Sequence, residues 1–254
     1  EFSPSEAGRG SSSSYAWQLV ITVAAVILCV ALLHFAIQWL RPILRHHFGD
    51  KAKQFMGDQR YTGDQRYTEY GDIRQVETTG ASERTAAVNG LLSRGIEASK
   101  ELAERDWKEM LKYRDDIISV GQALHVHPAL IAAIISRQSQ AGTKLRPSGY
   151  GTFDQNCYGL MQINKNYHAV KGGPFSKEHV DQGVTFFIQL IKTMARTKPD
   201  WTKEQQLKGA LACYIAGEDK VLPLTYAEVD SVTPYEDFAN DVIARAHWFA
   251  SNGF

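Results

Sequence analysis

The stretch Pro128-Ala129-Leu130-Ile131-Ala132-Ala133-Ile134-Ile135-Ser136-Arg137-Gln138-Ser139-Gln140 decides the fold. Its apolar residues cover nearly every face of a helix, the pattern of a helix buried in a core. Pro128 suits the first helical turn, where its missing N–H is no loss. Such a helix needs other elements wrapped around it. The polar run from Ser136 to Gln140 then leaves the helix at its C-terminal end. It reads either as side chains delivered into a cleft or as the plain end of an apolar segment, and periodicity does not separate the two.

Downstream, Gly, Pro, Ser and Asn alternate with Tyr, Phe and Leu between Thr143 and Ile163, which predicts a short irregular sheet. Ser176 can cap a helix to about Thr197 with Phe186, Phe187, Leu190, Ile191 and Met194 inward. Thr202 with Gln205, and Thr233 with Glu236, fit capping boxes that open two more helices, the second with Pro234 at its first position. Upstream, residues 96–122 read as one long helix with Leu102, Trp107, Met110, Leu111, Ile117, Ile118 and Val120 on one side. The class expected is α+β, predominantly helical, as a single domain over residues 70–254.

Residues 1–14 are rich in Ser and Gly and bury too little apolar surface to order themselves. Residues 15–40 hold no Asp, Glu, Lys or Arg, over a length suited to a hydrocarbon core of about 30 Å. Tyr15 and Trp17 at one end and Trp39 at the other lie where an interfacial aromatic belt would, so a transmembrane helix is expected. A cleaved signal peptide is the rival reading, but its apolar region is about 7–15 residues and follows basic residues instead of preceding them. Residues 41–69 read as a juxtamembrane linker containing the tandem repeat GDQRYT at Gly57–Thr62 and Gly63–Thr68, a polar spacer without a fold of its own. Arg41, Arg45, Lys51 and Lys53 follow the apolar run, while Arg9, offset by Glu1 and Glu6, precedes it. That bias places the C-terminal domain in the cytoplasm, with a lumenal or extracellular orientation as the alternative.

The chain carries 28 basic and 28 acidic residues, so balanced charge gives no reason to expect nucleic acid as a partner. Cys29, Cys157 and Cys213 are too scattered for a zinc motif, and no phosphate-binding glycine loop appears. No metal and no cofactor are expected. A thiol–imidazole pair of Cys157 with His168 is conceivable, without a motif to support it.

The runs SRQSQAG from Ser136, YGLMQIN from Tyr158, KEQQLKGALACYIAG from Lys203 and FANDVIARAHWF from Phe238, in that order, resemble the goose-type lysozymes, a family of glycoside hydrolases. The likeness covers roughly residues 70–254. It implies a lysozyme-like fold and a cleft for peptidoglycan-like glycan. The family's first motif reads S-R-E-S-H-A-G with the Glu as catalytic acid, so the resemblance puts Gln138 at the acid position and Gln140 at the His. Asn164 matches an Asp that helps position the attacking water, and Asp154 is the carboxylate available for the family's other site Asp. Among substrate-facing positions the resemblance implies Tyr150, His168 and Tyr214. Ile215 stands for an Asn and Phe238 for a Tyr. It also matches the avian disulfide positions to Glu69 with His125 and Glu83 with Arg94, so each lost bridge is expected to be an acidic–basic pair.

Two functions follow. A carboxamide cannot give up the proton that glycoside hydrolysis needs, so the first is a membrane-anchored lysozyme-like protein with little or no hydrolysis, binding a glycan or another protein. The second is an active muramidase cleaving the β-1,4 bond between N-acetylmuramic acid and N-acetylglucosamine, with Asp154 or a nearby Glu as substitute acid.

Overall fold

In the computed structural model, which describes residues 64–254, Pro128–Ser139 is a helix with apolar side chains buried all round. In chain order the helices are α1 (Glu83–Val88), α2 (Gly95–Met110), α3 (Arg114–Leu124), α4 (Pro128–Ser139), α5 (Lys177–Thr197), α6 (Lys203–Ala216), α7 (Glu218–Val221) and α8 (Phe238–Ser251). Two-residue strands β1 (Cys157–Tyr158) and β2 (Ile163–Asn164) pair antiparallel, Cys157 with Asn164 and Tyr158 with Ile163. The readings for residues 1–14, 15–40 and most of 41–69 lie outside the described residues. Among the described residues, no helix is long and apolar enough to cross a membrane.

The centre is α4, with α8, α3 and α2 packed on it. Leu130, Ile131, Ile134 and Ile135 are buried there, each worth about 1.5–3 kcal/mol relative to exposure. His127 caps the helix by accepting the Ala129 N–H on Nδ1 (3.2 Å), and Pro128 sits in the first turn as expected. Ser176 caps α5, and the Thr202–Gln205 capping box opens α6. The irregular sheet is the β1–β2 ribbon with isolated bridges Leu145–Gly151 and Tyr150–Tyr158.

Three expectations change. The helix read over residues 96–122 is broken by a 3-10 turn at Leu111–Tyr113. On one side of the break α2 packs along α8, on the other α3 packs along α5, and one straight helix could not follow both lines. Leu111, read as inward, is therefore 43% exposed. The capping box expected at Thr233 does not form, and Pro234–Glu236 is only a 3-10 turn, in which Tyr235 and Glu236 have φ of 60° and 57°. The Thr233 hydroxyl instead accepts the Phe238 N–H (3.1 Å), and the Asp230 carboxylate accepts those of Ala239 and Asn240 (both 2.8 Å). Thus α8 starts at Phe238, its first turn capped from the preceding loop. Finally, the second GDQRYT copy is more than a spacer, because Asp64–Tyr67 forms a 3-10 turn and the Tyr67 ring lies 5.1 Å from that of His127.

Of the two acidic–basic pairs expected at the lost disulfides, Glu83 and Arg94 form a hydrogen-bonded ion pair, both side chains about three-quarters exposed. Glu69 and His125 form none among the described residues. His125 is instead the left-handed residue that ends α3, with φ of 56°.

Candidate functional site

The end of α4 divides its polar run between two sides. Ser136, Arg137 and Ser139 turn into the protein. The Ser136 hydroxyl donates to Asp106 (2.7 Å) and accepts from Arg245 (2.9 Å). Arg137 donates to Asp241 (2.8 Å) and Asp237 (2.9 Å). Asp241, fully buried, also accepts from Ser99 (2.7 Å) and from two nitrogens of Arg245 (3.0 and 2.7 Å). Burial alone would raise the Asp241 carboxyl, but Arg245 and Arg137 reverse that and hold it below the usual range. Asp106 has Ser136 close, with Arg245 at 3.7 Å and Arg105 at 3.9 Å, and burial outweighs them and pushes its carboxyl up.

Gln138 and Gln140 are half-buried, and their side chains make no hydrogen bond among the described residues. Gln140, Ala141 and Gly142 all take positive φ (49°, 53° and 82°), so the helix stops in a tight left-handed turn. A Cβ on Gly142 would meet Phe175 at 2.8 Å and Leu160 at 3.0 Å, which reserves the position for glycine.

The turn Gly159-Leu160-Met161-Gln162 between the strands ties the site together. Leu160 carbonyl accepts the Ser139 hydroxyl (2.9 Å) and Met161 carbonyl the Tyr214 hydroxyl (2.7 Å). The Met161 N–H is accepted by Nε2 of His179 (3.1 Å), whose own exposure is 0%. The turn is thereby bonded to α4, α6 and α5. Gly159, with φ of 69°, lies flat against the His179 ring, where a Cβ would come within 2.4 Å of Nε2. Burial lowers His179 to about 4, so it is neutral, and its Nδ1 has no hydrogen-bond partner. His179 was not among the expected site residues. Its one sequence signal is a His in the first turn of a helix opened by a Ser cap.

Tyr214 and His168 face one another across Phe186, whose ring lies 4.5 Å from His168 and 5.4 Å from Tyr214. Burial raises the Tyr214 phenol, which stays protonated and donating. Asn164 lies on β2, its side-chain oxygen accepting the Asn166 N–H (2.9 Å). Tyr150 bridges to Tyr158 with rings 5.1 Å apart. Ile215 packs on the core from a half-buried position. Phe238 is 2% exposed, with the Arg137 guanidinium 5.8 Å from its ring centre, so it stands behind the site instead of lining it.

Asp154 is exposed and accepts the Asn156 N–H (2.8 Å) and the Cys157 thiol (3.2 Å). The Asn156 N–H first, then the thiol, hold its carboxyl below the usual range. The Cys157 thiol is pushed up to about 12, by burial and then by Asp154, so it is a protonated donor to a carboxylate and not a thiolate beside an imidazole. Among the described residues no group of three or more His, Cys, Asp or Glu side chains is placed to hold a metal ion.

A family model described as lysozyme g matches residues 70–253. The chain is 43% identical over 185 residues to a protein named lysozyme g from Gallus gallus, covering 73% of this chain and 86% of that one. It is 42% identical over 189 residues to lysozyme g from Cyprinus carpio, covering 73% and 98%. To lysozyme g-like protein 2 from Mus musculus it is 40% identical over 185 residues, covering 73% and 81%. With helices wrapped around a buried α4 and a small ribbon beside its end, and with these identities along nearly the whole described part, the chain belongs to the lysozyme g family.

Proposed function

We propose that this protein is a membrane-anchored lysozyme g-like protein that binds a β-1,4-linked N-acetylhexosamine glycan and is impaired in cleaving it. The carrying observation is Gln138, a carboxamide at the position matched to the family's acid, at the open end of α4. It keeps the donor and acceptor groups that grip a sugar and lacks the proton that cleaves one. Loss of general acid catalysis costs about 10²–10⁴-fold.

Neither Asp154 nor Asp106 supplies a replacement. A substitute acid needs a raised pKa to be protonated near neutrality. Asp154 is shifted the opposite way, and the Asp106 carboxyl, which does rise, is buried against Ser136 behind the site. Asn164, at the position matched to the water-positioning Asp, is also an amide. The Tyr214 hydroxyl on the Met161 carbonyl and the His168 ring against Phe186 would give the proposed glycan cleft a fixed wall.

The experiment is co-sedimentation of the purified protein with insoluble peptidoglycan, with released reducing ends assayed in the same tube. Retention on the pellet without release is expected. Release at the rate of an avian lysozyme g would establish the active muramidase instead.

The anchor reading rests on the uncharged apolar composition of residues 15–40, and the basic residues Arg41, Arg45, Lys51 and Lys53 after it favour a cytoplasmic domain. Protease treatment of intact cells carrying a tag after Phe254 tests the orientation. Digestion without permeabilisation would put the domain outside, where cell-wall glycan is met.

A further inference from the structure

The β1–β2 ribbon has a closed end, the Met161 turn bonded into the helices, and an open end where the chain enters and leaves. Beyond the Cys157–Asn164 pair, the Lys165 N–H donates to the Asn156 carbonyl (2.9 Å), so the entering and leaving segments stay side by side. Phe153 lies on the first and Tyr167 on the second, and they are 86% and 80% exposed. One exposed ring is ordinary; two at one end of a four-residue ribbon are a local concentration of apolar surface.

Each ring is next in sequence to a candidate site residue that points elsewhere. Asp154 turns its carboxylate to Asn156 and Cys157, and the His168 ring lies on Phe186. The polar groups at this end are mainly the amides of Gln155, Asn156 and Asn166. The ammonium of Lys165 lies 4.8 Å from the Tyr150 ring centre and in the field of Asp154, and the facing segment brings Lys144, whose carbonyl accepts the Thr152 N–H (3.0 Å), and Arg146 to the same hairpin.

We propose that Phe153 and Tyr167 form an outer stacking platform for the pyranose rings of a neutral N-acetylhexosamine chain, extending the cleft beyond the positions matched to the family's site. A pyranose presents one apolar C–H face, which an exposed aromatic ring covers, while its hydroxyl and acetamido groups lie at the rim, where uncharged amides donate and accept. The inference rests on the reading of the site as a glycan cleft.

The test is calorimetric titration of the full chain with the trimer and the hexamer of β-1,4-linked N-acetylglucosamine. The wild type should bind the hexamer more tightly than the trimer. Phe153→Ala and Tyr167→Ala should each weaken hexamer binding roughly five- to tenfold, as expected for loss of one aromatic contact of about 1–1.4 kcal/mol. Trimer affinity should be unchanged, and Tyr167→Phe should behave as wild type. Unchanged hexamer affinity in both alanine variants overturns the platform and leaves the glycan cleft standing. No binding of either oligomer by the wild type overturns both. Loss of binding to phosphatidylserine vesicles in the variants, with hexamer affinity intact, would assign the rings to a membrane and also overturn the proposal.

Discussion

Behind the end of α4, Ser136 and Arg137 are locked into buried carboxylates and a second arginine; in front of it, Gln138 and Gln140 carry amides with no partner among the described residues. The two sides are separated by a fraction of a helical turn. Behind, every charge is compensated and the arrangement is over-determined, as a scaffold must be. In front, on the function proposed above, groups that would have to change protonation have given way to groups that cannot. The difference teaches that the side chains that position the end of the helix and those free to meet a ligand are different residues, so that under the proposed function one set is kept while the reaction is dropped.

The back should break hardest. Arg137→Ala leaves Asp237 and the fully buried Asp241 each short of a partner and is expected to cost about 3–5 kcal/mol, read from the urea midpoint at unchanged m-value. A cost below about 1 kcal/mol would dissolve the contrast.

Next comes His179, which holds the turn joining the two sides. Its folded pKa, about 4, lies below the ordinary value of 6.5. The folded state therefore binds this proton less readily than the unfolded chain does. The stability linked to it is complete above about pH 6.5 and is lost as pH falls toward 4, up to about 3 kcal/mol in all. Subtracting the stability-versus-pH curve of His179→Gln, which can still offer an oxygen to the Met161 N–H, should isolate that loss. Parallel curves would show that His179 does not carry it.

The smallest effects belong to groups outside the buried network. Arg94→Ala removes an ion pair of the same chemistry as Arg137–Asp237 but about three-quarters exposed, and should change stability by less than about 1 kcal/mol. Gln138→Ala should lie within about 0.5 kcal/mol of wild type in thermal or urea denaturation. A larger loss at Gln138 would mean that its amide is structural.

Sequence carried the fold further than the site. The buried α4, the Ser176 and Thr202 caps and the short ribbon are local patterns, and they appear where the pattern placed them. The break at Leu111–Tyr113 and the late start of α8 were not legible, because both answer to neighbours distant in sequence. The first follows two diverging packing partners and the second the Asp230 loop. At the site, the proposed amide substitutions at Gln138 and Asn164 are legible only against the family's motif. That three of the five polar residues after Ile135 face the core could not be read, although Asp241 and Arg245, four apart in a mostly apolar helix, were a signal that buried charges needed partners.

The most direct test of the central claim is peptidoglycan clearing by the wild type and by the double variant Gln138→Glu with Asn164→Asp, at equal concentration and with folding checked by denaturation. No clearing by the wild type and measurable clearing by the double variant is the result predicted. Wild-type clearing at the rate of an avian lysozyme g, unchanged or reduced in the variant, would contradict it.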